Sequence, residues 1–501
     1  MRALASDTAS PPAPSAVAPT PSPLPVDGWR WALGLAAWAA FSAWLVWGFP
    51  PCVDLPGHAA QIETLDALLR GDPAVASVYR WRVPIGYGLA YWLGLPLAHL
   101  WNGAVAARVL LWASLVLHPI AWATLLRTLG RSLGILPCLL PFAFGIAYWY
   151  GFLPSYFTEP LVFFALALLL RTLSRPSAAG IAALNALGLV VAQSHLFMFA
   201  VLLILAGCAA LAKTGLARAV RWTAGGFAAP LLVCVPRAWE IVHRAVSPGT
   251  AVPTEYAAMS HLNWFFKNYR PEGKLAAFYP LVAAILFVLL WLWRRHPGPS
   301  VAFALFAGSA VLYALLPKTL SGVFGVSIRL PVVTGVLALC LVDWRSVPRV
   351  LQALLLGLAL FSLGETARFH WRFAHAVDGL DEMIARASGR ADGYVSTVGD
   401  SVLGSKHIYL AHLGAWITAT RGGIGQNFFA DAEQVPVRQR VPGVPPADLS
   451  RAPPEQLAPF ETISVFGPPP FPGKLAAWQP VARAGAWTLL RRPDGPASRR
   501  Q

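Results

Sequence analysis

The sequence predicts a mainly α fold: a polytopic transmembrane helix bundle followed by a small C-terminal α/β domain. Three observations predict it. Hydrophobic residues make up 56% of the chain and charged residues only 12%, about half the charge a soluble domain uses to cover its surface. Apolar runs close to the ~20 residues that cross a bilayer recur as far as Leu363. Beyond it the runs shorten, Gly and Pro rise, and charge returns. The formal net charge of +16 does not point to nucleic acid, because Lys and Arg fall in small groups between apolar runs, with no basic stripe and no RNA-type aromatic motif. Such groups set topology and contact membrane lipids.

Residues 1–28 are rich in Ala, Pro and Ser without a long apolar core, and read as a disordered cytoplasmic tail. The run 29–49 is a retained anchor. Counting runs gives about eleven helices, near 29–49, 104–126, 133–150, 153–170, 179–193, 195–211, 222–236, 275–293, 301–316, 323–342 and 350–363. The stretch 179–211 is divided at Gln193-Ser194-His195, since two helices are needed to bring Lys213 to the side of Arg175. Alternate junctions then carry the positive charge: Arg127/Arg131, Arg171/Arg175, Lys213/Arg218/Arg221, Arg294/Arg295 and Arg345/Arg349. Placed in the cytoplasm, they put the N-terminus inside and residues 365–501 outside.

The first external loop, 50–103, opens on Cys52-Val53-Asp54-Leu55-Pro56-Gly57-His58, an acid and a histidine just outside the bilayer. Ile62, Leu65 and Leu69 follow at helical spacing and predict an amphipathic helix lying on the membrane. Residues 85–100, broken by Gly and Pro, predict a re-entrant or surface-lying piece, since a full crossing would invert every later charge cluster. A second external loop, 237–274, carries His243, Glu255, Tyr256, His261 and the aromatic run 263–269, which reads as interfacial anchoring or as a rim for a lipid substrate. In the C-terminal region a helix is expected around 377–387 and strands at 393–398, 462–466 and 486–491. The Gly422-Gly423-Ile424-Gly425 cluster predicts a turn or a close backbone approach. Four of five cysteines lie in predicted helices and Cys52 has no partner, so there is neither a disulfide framework nor Cys/His metal spacing.

One anchor helix, an acid within a few residues of its end, a surface helix, a Gly/Pro-rich juxtamembrane piece, Arg108 at the start of the next helix, many further helices and an outer α/β domain together resemble the polytopic GT-C-type glycosyltransferases. Tyr148-Trp149-Tyr150-Gly151-Phe152-Leu153 is similar to the aromatic-Gly-Phe-Leu corner of an uncharacterised bacterial branch of that class. His195 resembles its helix-end histidine and Ile328-Arg329-Leu330 its late arginine. Residues 460–465 and 485–490 resemble its last two strands. The resemblance covers most of the chain in layout, on short motifs.

It implies transfer of a sugar from a polyprenyl-phosphate carrier to a cell-envelope acceptor at the outer face of a bacterial inner membrane, by a multi-pass protein of GT-C-like residues 29–364 and an extracytoplasmic domain 365–501. Asp54 is then the candidate base, or the ligand of a divalent cation, Mg or Mn, beside the leaving phosphate. As a plain structural feature, Asp-Leu-Pro is also an ordinary turn and helix cap. His58 caps the surface helix or orients Asp54, and Glu159, in the first turns of an outer helix end, supplies a second carboxylate. His195, Lys318 and Arg329 are the candidate substrate-binding residues, the arginine for bidentate phosphate contact; snorkelling at the interface is the plain alternative for the two cations. Lys406, His407 and His412 read as surface. The chain departs from the class in that the acids following Asp54 are Glu63 and Asp66, on the expected surface helix. Two other readings remain: a non-enzymatic transporter or flippase for an envelope lipid, and a catalytically degenerate GT-C-like protein.

Overall fold

The computed structural model describes residues 28–84, 86–246, 300–317, 319–320, 323–324 and 326–398, and in the C-terminal region 409–426, 429, 435–441, 449, 452–468, 473–475 and 477–493. Helix α1 (Gly28–Trp47) packs on α5 (Gly103–Thr128) and donates Trp38 Nε1–H to Leu115 O at 2.8 Å. Between them lie α2 (Leu55–Leu69), α3 (Pro73–Val78), β1 (Tyr79–Trp81) and α4 (Leu89–Leu100). Two single turns, α6 (Leu136–Leu139) and α7 (Ile146–Trp149), precede α8 (Leu153–Ser174), α9 (Ala178–Ser194), α10 (Leu196–Thr214), α11 (Leu216–Gly226) and α12 (Ala228–Val246). After the undescribed stretch come α13 (Ser300–Leu315), the short ladder of β2 (Thr319–Leu320) and β3 (Val323–Phe324), α14 (Leu330–Leu339) and α15 (Arg349–Ala376).

Among the described residues, four helices, α5, α8, α10 and α15, are long and apolar enough to cross a membrane, with α11 and α12 forming a fifth span if counted together across their 74° bend. The other expected crossings in the described residues after α1 are shorter or interrupted, for reasons visible in the sequence. The run 133–150 is not one helix: Pro137 and Pro141 each restart a turn, and 3₁₀ segments fill the gaps. The run 323–342 likewise yields a helix only from Leu330, with Pro331 in its first turn and a 3₁₀ turn Ser327–Arg329 before it. Gly225 and Gly226 stand at the α11–α12 bend. The expected helix 275–293 lies outside the described residues, as do residues 247–274 of the second loop. Helix α4 spans only about 18 Å at 1.5 Å per residue, shorter than the ~30 Å hydrocarbon core of a bilayer.

The helix directions separate two ends. At one lie two of the basic junctions: Arg131 donates to the carbonyls of Cys340 and Leu341 at 3.1 and 3.0 Å, and Lys213 to Leu170 O at 3.4 Å and to Ser174 Oγ. The starts of α5, α8, α10 and α14 lie at the other, and α15 returns there to place His370 Nε2 2.7 Å from Tyr148 Oη.

Helix α2 corrects the expectation of a helix lying on the membrane. Ile62 and Leu65 are fully buried, but so are Glu63 and Asp66 on the polar face, and only Leu69 of the apolar set is exposed. One side packs on α4 and α5; the other is covered by α17 (Ala415–Arg421) of the C-terminal region. The acids find partners in place of water: Glu63 accepts the Gly103 N–H at 2.6 Å, and Asp66 meets Arg70 at 2.9 Å and His99 at 3.2 Å.

The C-terminal region adds α16 (Leu380–Arg386), β4 (Asp392–Ser396), β5 (Val437–Gln439), α18 (Pro454–Leu457), β6 (Thr462–Phe466), β7 (Gln479–Ala484) and β8 (Trp487–Arg491). Strands β4, β6 and β8 fall where expected, in a sheet of order β4-β6-β8-β7 that is parallel only at β4/β6. Alternation gives it two buried faces: Val395, Ile463, Val465 and Leu490 form a small separate core, while Tyr394, Trp487 and Leu489 join the core shared with the bundle. The expected change of character at residue 364 falls inside α15, which continues unbroken to Ala376. Gly422 and Gly423, at φ +74° and +82°, make the predicted tight turn; a Cβ on Gly423 would lie 2.6 Å from the Arg390 carbonyl oxygen.

Three contacts fasten this region to the N-terminal elements. Strand β1 pairs antiparallel with β5. The buried Gln61 amide exchanges two hydrogen bonds with Val437, at 3.3 and 3.1 Å, as a neighbouring strand would. The Arg108 guanidinium lies 5.2 Å from the Phe49 ring and 5.0 Å from that of Trp416.

Candidate active site

The Asp54 turn is held by the aromatic corner that precedes α8. Trp149 and Tyr150 carbonyls accept the N–H groups of Val53 and Asp54 at 3.0 and 2.7 Å, and Gly151, at φ +66°, lets the two segments meet: a Cβ there would lie 2.6 Å from Leu55 N. Phe152, the next residue, lies under Arg329, whose guanidinium carbon is 4.5 Å from the ring centroid. One six-residue corner therefore sets both the acid and the cation.

Asp54 occupies the N-cap of α2 yet its carboxylate accepts no backbone N–H there. Its half-buried carboxylate instead has Oδ1 3.7 Å from His412 Nε2. Burial pushes its pKa up to about 7, although the positive charge of Arg329 pulls it down. Arg329 and His195, from different parts of the chain, meet as Nη1 and Nε2 at 3.4 Å, and His195 also forms the N-cap of α10. The buried Nε of Arg329 has no hydrogen-bond partner among the described residues.

Two expected roles change. His58 neither caps α2 nor orients Asp54: its Nδ1 is 2.7 Å from Tyr91 Oη, and burial, with the charges of His412 and Arg329, lowers its pKa to about 3. Glu159 is not at the rim but wholly buried, with Oε2 3.3 Å from His118 Nε2 of α5 and Oε1 without a hydrogen-bond partner among the described residues. It lies within electrostatic reach of Arg329. Lys318 lies outside the described residues. Cys52, expected to be external, is buried beneath the turn.

Sequence reasoning missed two features. One is a row of rings joining the cationic and acidic poles: His195 to Tyr87 at 5.2 Å between centroids, Tyr87 to Tyr91 at 6.3 Å, Tyr91 to His58 at 5.8 Å, His58 to Phe429 at 5.4 Å and Phe429 to His412 at 5.3 Å. The other is His412 itself, which reads as surface but faces Asp54. Tyr87 and Tyr91 had a signal, as tyrosines in a Gly/Pro-rich juxtamembrane stretch; His412 had none.

A divalent cation on Asp54 does not fit this donor set. Among the described residues no three His, Cys, Asp or Glu side chains converge as metal ligands, and Arg329 already brings positive charge to the carboxylate.

No family model matches the chain, and no curated protein matches it. Among solved structures, ArnT from Cupriavidus metallidurans in the apo state superposes with a TM-score of 0.50 at 13% identity, covering 93% of this chain and 98% of that one. ArnT from the same organism bound to undecaprenyl phosphate gives 0.47 at 14% identity, with 92% and 98% covered. At such identity the likeness is one of fold, shared with the apo ArnT structure over nearly the whole length of this chain.

Proposed function

We propose that the chain is a membrane glycosyltransferase that moves a sugar from a polyprenyl-phosphate carrier to a cell-envelope acceptor, at the outer face of a bacterial inner membrane. The observation that carries this reading is a carboxylate at the bundle mouth that caps no helix N–H and has its pKa pushed up to about 7, facing across a row of rings an arginine whose buried Nε has no hydrogen-bond partner among the described residues. Asp54 takes the proton of the acceptor hydroxyl as its oxygen bonds the anomeric carbon. The bond from that carbon to the phosphate oxygen breaks, and Arg329 receives the charge that develops on the departing carrier phosphate. The rings of Tyr87, Tyr91 and Phe429 are platforms for the apolar face of a sugar. Its shared fold with ArnT supports the class; the sugar and the acceptor are matters for assay.

A second reading, a lipid transporter or flippase, draws on the buried His118–Glu159 pair and the interrupted helices α11/α12 and α14, features shared with transport pathways. Purified full-length protein in lipid nanodiscs, given a panel of polyprenyl-phosphate sugars and envelope extracts, separates the two. Loss of donor with a matching mass gain in acceptor supports transfer. Movement of labelled lipid between leaflets without donor consumption overturns it.

A further inference from the structure

His412 stands on a turn that is fixed from beneath. Tyr394 of β4 donates its hydroxyl to Leu410 O at 2.9 Å, and Gly414 presses so closely on the same tyrosine that a Cβ would lie 2.0 Å from its side chain. On the other side, the Phe429 ring fills the space above Gly57, where a Cβ would meet it at 2.5 Å, and packs on the imidazole. The C-terminal region thus delivers one histidine to Asp54 with its ring plane held, while the neighbouring His58 is already committed to Tyr91.

We propose that His412 is a positioning residue for Asp54: its neutral imidazole presents Nε2–H to Oδ1, so that Oδ2 is the oxygen left to take the acceptor proton. The inference rests on the reading of Asp54 as the base. The 3.7 Å separation shortens to a hydrogen bond as the site fills, as catalytic contacts commonly do. The acceptor proton ends on Oδ2, the carrier leaves as its phosphate monoester, and His412 keeps its own proton throughout. Burial lowers the His412 pKa to about 4, which keeps the ring neutral at physiological pH. The other groups within electrostatic reach of Asp54 are Arg329 and the hydroxyls of Tyr87, Tyr91 and Tyr150, and these are unchanged in the variants below.

The test uses His412→Phe, which keeps a ring against Phe429 and removes the donor, and His412→Gln, which keeps a donor near the position of Nε2. In full-length protein in nanodiscs, the infrared carboxyl band of Asp54, assigned by its loss in Asp54→Asn, is titrated in each variant, and pH–rate profiles are recorded. His412→Phe is expected to raise the Asp54 midpoint by about one unit and lower kcat about tenfold at pH 7 with the donor KM unchanged, and His412→Gln to restore both. An Asp54 midpoint that is the same in His412→Phe as in wild type overturns the pairing. If wild type turns over and Asp54→Asn does not, that result leaves the glycosyltransferase reading standing; if wild type transfers no sugar, a midpoint shifted in His412→Phe supports the pairing and removes the reading instead.

Discussion

An aspartate at a helix start ordinarily accepts a backbone N–H from the first turn. Asp72 does so at α3, taking the N–H groups of Ala74 and Val75 at 2.9 and 3.1 Å, whereas Asp54 at α2 takes none. The two therefore predict opposite results. Asp72→Ala is expected to lower stability by ~1 kcal/mol and leave sugar transfer intact. Asp54→Asn is expected to keep the fold and lower transfer ~10²–10⁴-fold. Because the folded-state value of Asp54 is raised to about 7, the carboxylate is only partly deprotonated near neutral pH: kcat/KM should climb with pH through about 7 and level off above it. The same sign governs stability. The folded protein holds that proton more tightly than the unfolded chain, so wild-type stability falls as pH rises from about 4 to about 7, and Asp54→Asn should melt later than wild type by most at pH 8, by less at pH 5.5, and not at all below about pH 4. Arg329→Lys, which keeps the charge and loses the planar fork, should raise the donor KM more than it lowers kcat. Asp54 and His195 drew attention because each sits where an apolar run breaks, and Arg329 through the family resemblance; His412 did not, because nothing local to residue 412 encodes a partner at residue 54.

Interrupted helices were legible only in outline. Prolines 137, 141 and 331 are plain in the sequence, but a run of apolar residues reads as one span until the packing decides which carbonyls lose their partners. The amphipathic pattern of α2 was read correctly as a helix and wrongly as a surface, since the pattern cannot say that Glu63 and Asp66 meet Arg70, His99 and a backbone N–H in place of solvent. Two glycines test how the corner before α8 works. Gly151 and Gly71 both have positive φ, +66° and +80°, but only Gly151 abuts another segment. Gly71→Ala should add backbone strain alone, about 1–3 kcal/mol in thermal melts. Gly151→Ala should add the same strain and displace the Asp54 turn, so that kcat falls as well.

At the scale of the whole molecule, the alternation of basic junctions was the strongest sequence signal, and the structure does gather Arg131 and Lys213 at the end opposite Asp54, His195 and Arg329. Orientation in the membrane follows if those junctions are cytoplasmic. A cysteine introduced at the exposed Arg483 should then react with an impermeant maleimide in intact cells, and one at Arg175 only after permeabilisation. The reverse pattern would turn the site inward. The docking of the C-terminal region was invisible in the sequence, since it depends on β1 with β5 and on Gln61 with Val437. Gln61→Leu leaves the Val437 N–H and C=O without those partners and should weaken the docking by about 1–3 kcal/mol, read as faster amide exchange across Val437–Gln439.

That clasp also sets a schedule. Gln61 and Val437 are 376 residues apart, so a growing chain emerges with its carboxylate turn long before the strand that covers it exists. Until the last third of the polypeptide has been made and folded against the first loop, Tyr79 and its neighbours are an open edge and Asp54 lacks the His412 imidazole beside it. A protein truncated during synthesis would carry the anchor, the acid and the arginine and still lack a finished centre, which ties the onset of activity to completion of the chain.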